Sequence, residues 1–221
     1  MTRARPECLI RAHGVGYARR GQVILDDVDL TVGVGERLAL VGPSGSGKTT
    51  LLALLAGLST PDTGHVTAGP ATCGDARTGT ALVLQGYGLL ALLTAAENIE
   101  VALRAAGHRP AAAIDRAARL LADLDLEAQA GTLVGELSGG QQQRVAVARA
   151  LALDPVLMLA DEPTAEQDPA HREVVVERLL FRDHPGGGLV LATHDATIAA
   201  RCDRVVQLHA GRIVCATFER E

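Results

Sequence analysis

The chain has 221 residues, 48% of them apolar and 21% charged, with a net charge of −5 and an isoelectric point near 5.8. That composition excludes a disordered chain, and the acidic balance argues against a general nucleic-acid binder, whose affinity rests on Lys and Arg at phosphates. The length suits one sizeable α/β domain with room for a small appended subdomain, and no apolar run reaches the roughly 18–20 residues that span a bilayer.

The opening stretch MTRARPECLIRA is basic but lacks the apolar segment of a secretory signal, so the chain is expected to stay in the cytosol. Short apolar stretches at Cys8 to Ala12 and Val28 to Val32, broken by Gly-rich turns, predict a small N-terminal antiparallel β layer. Five further runs lack polar alternation, as strands buried on both faces do: Arg37 to Val41, Thr80 to Leu84, Val156 to Ala160, Leu189 to Thr193 and Val205 to Leu208. Helical stretches separate many of them, which predicts an α/β core with a mostly parallel sheet. Leu89 to Thr132 is Ala- and Leu-rich without a convincing strand and reads as a helical insertion, with Pro110 in the first turn of one helix. Ala210-Gly211 predicts the turn of a closing hairpin, and Gly186 to Gly188 a short loop. The cysteines Cys8, Cys73, Cys202 and Cys215 form no CxxC pair, which suggests thiols rather than a zinc or redox site.

Chemistry concentrates first at GPSGSGKT, which is Gly42, Pro43, Ser44, Gly45, Ser46, Gly47, Lys48 and Thr49, followed by Thr50. It matches G-x-x-x-x-G-K-[ST] between a strand and a helix, the context of a phosphate-binding loop. Glycines let the backbone wrap so that N–H groups point at phosphate oxygens, and the helix N-terminus adds its dipole. Lys48 supplies a point charge for the β- and γ-phosphates, and the Thr49 hydroxyl is placed to ligate Mg²⁺. The apolar run VLMLADE ends in two carboxylates. Asp161 suits the holding of Mg²⁺, and Glu162 the polarising of an attacking water as general base. Gln85 and His194 each follow another strand, and ligands of open α/β sheets bind at such carboxyl ends.

LSGGQQQR, from Leu137 to Arg144, opens a further helix, with Ser138 and Gln141 spaced as a capping box. On these motifs the chain resembles the nucleotide-binding subunits of ABC transporters along nearly its whole length, since LSGGQ is the hallmark of that family. The resemblance implies a Mg²⁺-dependent ATPase whose P-loop core covers 1–85 and 137–221 and whose helical subdomain covers roughly 86–136, all within one domain, 1–221. It implies a head-to-tail dimer holding two ATP molecules. In that dimer Ser138, Gly139, Gly140 and Gln141 of one subunit close over the γ-phosphate held by the P-loop of the other.

By the same resemblance Tyr17 stacks on adenine, Gln85 contacts Mg²⁺ and senses a membrane partner, Asp168 crosses the dimer interface, and His194 hydrogen-bonds the γ-phosphate. Asp168-Pro169 also reads locally as an N-cap and first helical residue. The implied partners are a second copy or a related ATPase subunit, and integral membrane permease subunits on other chains. That would place the chain peripherally on the inner face of the cell membrane, with no role for nucleic acid. The ADEPT stretch resembles the lipoprotein-release and macrolide-export type; an envelope-remodelling or mechanical-signalling complex that moves no solute is the alternative. Two places depart from the family pattern: AEQD (165–168) stands where SALD is usual, and Ala91 replaces a proline after Gln85.

Overall fold

The computed structural model describes residues 8–69 and 79–218; Cys73 lies outside them. In chain order the elements are β1 (Cys8–Arg19), β2 (Gln22–Gly33), β3 (Arg37–Val41), α1 (Lys48–Leu55), β4 (Thr63–Ala68) and β5 (Thr80–Val83). They continue with α2 (Ala95–Ala105), α3 (Pro110–Asp123), α4 (Gly139–Ala152), β6 (Leu157–Asp161), α5 (Pro169–Leu180), β7 (Gly188–Ala192), α6 (Ala196–Ala199), β8 (Arg204–His209) and β9 (Arg212–Phe218).

The strands form two sheets, one ordered β2-β1-β4 and the other β5-β6-β7-β3-β8-β9. In the larger sheet β6, β7, β3 and β8 run parallel, and β9 returns antiparallel to β8. Strands β6 and β7 are buried at every residue, which is why their sequences carry no polar alternation. The hairpin between β8 and β9 turns at Ala210 (φ 46°) and Gly211 (φ 78°), both left-handed, as a twisted two-residue hairpin turn requires.

The N-terminal layer is more regular than its sequence suggests. Instead of short strands broken by turns, β1 and β2 run 12 residues each. The break at Gly14 (φ 57°) is a bulge inside the strand, where Asp29 Oδ1 accepts from the Gly14 amide and pairs with His13 Nδ1 at 2.7 Å. Strand β4 escapes a sequence reading altogether because it is mostly exposed and shows no apolar pattern. Its pairing with β1 depends on backbone approach: a methyl at Gly64 would lie 2.2 Å from the Gly14 carbonyl oxygen.

Two compact units divide the chain. The first comprises 1–82, 155–161 and 184–221; the second comprises 83–154 and 162–183. In the first, Leu9, Val15, Leu25 and Val32 of the small sheet share one buried cluster with Leu38 and Leu40 of β3, Leu51 and Leu55 of α1, and Leu159 and Val190. In the second, α2, α3 and α4 pack on one another around Ile99, Leu103, Ala117 and Leu121. Helix α4 also meets α5, and its consecutive residues Val145, Ala146, Val147 and Ala148 are all buried. A helix covered on every side must carry small side chains, which accounts for the Ala-rich sequence.

Candidate active site

In the first unit the chain leaves β3 at Val41, wraps through 42–47 and enters α1 at Lys48. Glycine is required at both ends of this loop. A methyl at Gly42 would lie 2.1 Å from the Leu208 carbonyl oxygen. Gly47, the N-cap of α1, has a φ of 106°, and a methyl there would meet Leu25 and the Ile24 carbonyl at 2.8 and 3.0 Å. Within the loop the Ser46 amide donates to the Pro43 carbonyl at 3.2 Å, while the buried Ser46 Oγ has no protein partner. Lys48 is nearly buried, and its Nζ donates to the Gly42 and Pro43 carbonyls at 2.8 and 3.3 Å. The ammonium is therefore held over the loop rather than released to solvent.

Thr49 Oγ1 donates to Asp161 Oδ2 at 2.6 Å. Asp161 is the last residue of β6 and almost fully buried, so the sheet aims its carboxylate at the first turn of α1. β6, β7 and β3 are parallel neighbours, so Asp161, His194 (two residues past β7) and the loop after β3 all follow strand carboxyl ends at one sheet edge. His194 is exposed there. Tyr17, on β1, is half-buried and packs against the apolar cluster of this unit.

The remaining predicted residues belong to the second unit. Gln85 lies exposed in the turn after β5. Glu162 is half-buried and has a left-handed backbone, φ 47°, which a non-glycine residue adopts only when its surroundings impose it. Ser138 is the N-cap of α4. Its side chain accepts from the Gln141 amide while Gln141 Oε1 accepts from the Ser138 amide, completing the expected capping box. Gly139, Gly140 and Gln141 form the first turn of that helix. Asp168 caps α5, its Oδ1 accepting from the amides of Ala170 and His171 and its Oδ2 lying 2.6 Å from His171 Nδ1. The His171 amide, then its ring, then Ala170 hold the Asp168 carboxyl below the usual aspartate range.

Three residues that sequence reading passed over organise this unit. The Arg149 guanidinium donates to the Tyr87 and Gly88 carbonyls at 2.9 and 2.6 Å, pinning the loop after Gln85 where both residues have positive φ. Burial lowers the pKa of Arg149. Asn98, buried on α2, donates to the carbonyls of Leu90, Leu93 and Thr94 and accepts from the Leu90 amide. Gln143 is the third, joining α4 to the loop after Glu162. A polar residue on an otherwise apolar helix face was the available signal for Asn98.

A glycine-walled loop between a parallel strand and a helix, with a lysine over it and a Thr–Asp pair at its edge, defines a P-loop nucleotide hydrolase. The sequence profile of the ABC transporter family matches residues 25–165. The chain is 45% identical over 204 residues to the lipoprotein-releasing system ATP-binding protein LolD 1 of Rhodospirillum rubrum, covering 87% of this chain and 90% of that one. It is 42% identical to the macrolide export ATP-binding/permease protein MacB of the same organism, covering 86% of this chain and 31% of MacB. An ABC transporter ATP-binding protein of Mycobacterium bovis is 42% identical, and the chain spans 62% of its length. Among solved structures, the ATP-binding cassette MJ0796, captured as a dimer in a post-hydrolysis state with ADP and phosphate, superposes with a TM-score of 0.86 at 32% identity, over 96% of this chain and 99% of that one. The chain belongs to the ABC transporter family: it is an ATP-binding cassette, and it hydrolyses ATP.

Proposed function

We propose that this cassette is the power subunit of a membrane transporter, working as one of two ATPase subunits bound to permease subunits on other chains. It is then peripheral on the inner face of the membrane; among the described residues no helix is long and apolar enough to cross one. The observation that carries the reading is the coexistence in one chain of the Thr49–Asp161 pair beneath a P-loop and the capped LSGGQ helix. The likeness to LolD 1 and MacB supports a place in the lipoprotein-release and macrolide-export branch.

In this reading the amides of 42–47 and Lys48 take the β- and γ-phosphates, and Tyr17 takes the adenine face. The donor set fits Mg²⁺, a hard cation that prefers oxygen ligands. Thr49 and Asp161 bring a hydroxyl and a carboxylate together at 2.6 Å, and the family resemblance assigns Gln85 as a further oxygen ligand. Bound there, the ion would neutralise charge on the phosphates. Glu162 accepts the proton of the attacking water, and His194 steadies the γ-phosphate. Ser138 to Gln141 offer the amides of a helix N-terminus to the γ-phosphate of a partner cassette, which makes the working form a head-to-tail dimer. Asp168 lies at that interface. We read 1–221 as one catalytic domain, divided by motif into a core (1–85 and 137–221) and a helical subdomain (roughly 86–136).

The test is ATP-dependent dimerisation of Glu162→Gln by light scattering, with Mg·ATP against Mg·ADP. A dimer with ATP only is expected. A monomer under both conditions, or normal turnover by the variant, counts against the shared-site mechanism or the base assignment respectively.

A further inference from the structure

The loop that carries Glu162 is tied to the LSGGQ helix by two buried glutamines. Gln143 is 2% exposed and Gln167 7% exposed. Gln143 Nε2 donates to the Glu162 carbonyl at 2.8 Å, and Gln143 Oε1 accepts from the Glu166 amide at 3.2 Å and from Gln167 Nε2 at 3.0 Å. Gln167 Nε2 also donates to the Gly140 carbonyl at 2.8 Å, and Gln167 Oε1 accepts from Arg144 at 3.3 Å. The contact is close as well as polar: a methyl at Gly140 would lie 2.6 Å from the Glu166 carbonyl oxygen.

The sequence departs from the family pattern at one of the two glutamines. Position 167 falls in AEQD, where the SALD pattern has leucine; a leucine could make none of these hydrogen bonds. The geometry also supplies a purpose. Glu162 has φ 47°, a strained conformation for a non-glycine residue that persists when neighbours over-determine it. Its carbonyl accepts from Gln143 Nε2 and from the Ala165 amide at 3.2 Å. Buried amide groups of this kind are held by each other, so losing one leaves others unpaired.

We infer that Gln143 and Gln167 are positioning residues for hydrolysis: an amide relay that holds the strained Glu162 backbone, and hence the direction of its carboxylate, in register with the first turn of the LSGGQ helix. The inference rests on the proposed role of Glu162 as base. Gln143 reaches Glu162 directly, and Gln167 fixes Gln143 and joins it to Gly140. Neither touches the reacting atoms.

Two variants separate this from general stability. Gln143→Met keeps the approximate volume and removes both the donor to Glu162 and the acceptor for Gln167. Gln167→Leu keeps the volume and removes both donors and the acceptor. In each, kcat for ATP should fall by about tenfold to a hundredfold, the scale of a misplaced catalytic group, while KM for ATP moves by less than about threefold. Amide exchange across 162–167 should quicken, with the thermal transition still cooperative. A folded variant with unchanged kcat overturns the proposal, as does a rise in KM that accounts for the whole effect. If one variant does not fold, the other decides. Glu162→Gln is measured alongside. Should it turn over normally, the base assignment fails on its own, and exchange then decides the relay: unchanged protection of 162–167 overturns it, and faster exchange upholds the backbone clamp.

Discussion

Thr49 and Asp161 stand 112 positions apart in the chain and 2.6 Å apart in space. Each was legible alone, Thr49 from the loop motif and Asp161 from an apolar run ending in acid, because each residue type fits a local backbone pattern that short sequence windows reveal. Their meeting was not, because it depends on which strands neighbour which. At this scale Lys48 carries the sharpest expectation. Its ammonium is nearly buried over the loop carbonyls, where a phosphate bound as proposed would meet it with little competing water. Lys48→Ala removes charge-assisted bonds worth roughly 1.5–3 kcal/mol, so ATP affinity should drop about tenfold to a hundredfold by equilibrium binding, with the circular dichroism spectrum unchanged. An unchanged affinity would remove Lys48 from the binding site.

Helix caps were legible because they are local: Ser138 with Gln141, Asp168 with Pro169, and Pro110 at the start of α3 all stand where their sequences place them. Strand β6 begins one residue later than the apolar run and takes in Asp161, so its final residue is a buried carboxylate. Connections between elements were less legible. The loop 85–94 is organised from outside itself, by Asn98 on α2 and Arg149 on α4. Asn98→Ala would leave the Leu90 amide without its acceptor and take one of two hydrogen bonds from each of the Leu90, Leu93 and Thr94 carbonyls, at a cost of about 1–3 kcal/mol. For a chain of this size each kcal/mol lowers the melting temperature by roughly 2–4 °C, so calorimetry should show a clear drop, with faster amide exchange confined to the loop. A melting temperature within error of the parent would mean that water replaces the side chain at no cost.

At the scale of the whole molecule, the P-loop lies in the first unit and the capped LSGGQ helix in the second. If that helix serves a partner cassette, a bulky cation at its N-cap should block association without harming the subunit's own nucleotide binding. Ser138→Arg, placed in the Glu162→Gln background, is expected to bind ATP with unaltered affinity yet remain monomeric in light scattering. Persistent ATP-dependent dimers would show that Ser138 is not in the contact.

The sequence by itself determined the class of fold, the family and the strand–loop–helix course of 37–55, because these depend on residue types at fixed short spacings: glycines where backbone must crowd, caps where amides lack partners, apolar runs where both faces are covered. Only the tertiary structure decided that Gly14 makes a bulge rather than a turn, that β4 exists, that Asp161 meets Thr49, and that Gln143 and Gln167 tie the loop after Glu162 to the LSGGQ helix. Each of these depends on a contact between residues distant in the chain, and a buried amide or a closely approached glycine looks in sequence like any other until its neighbour is known.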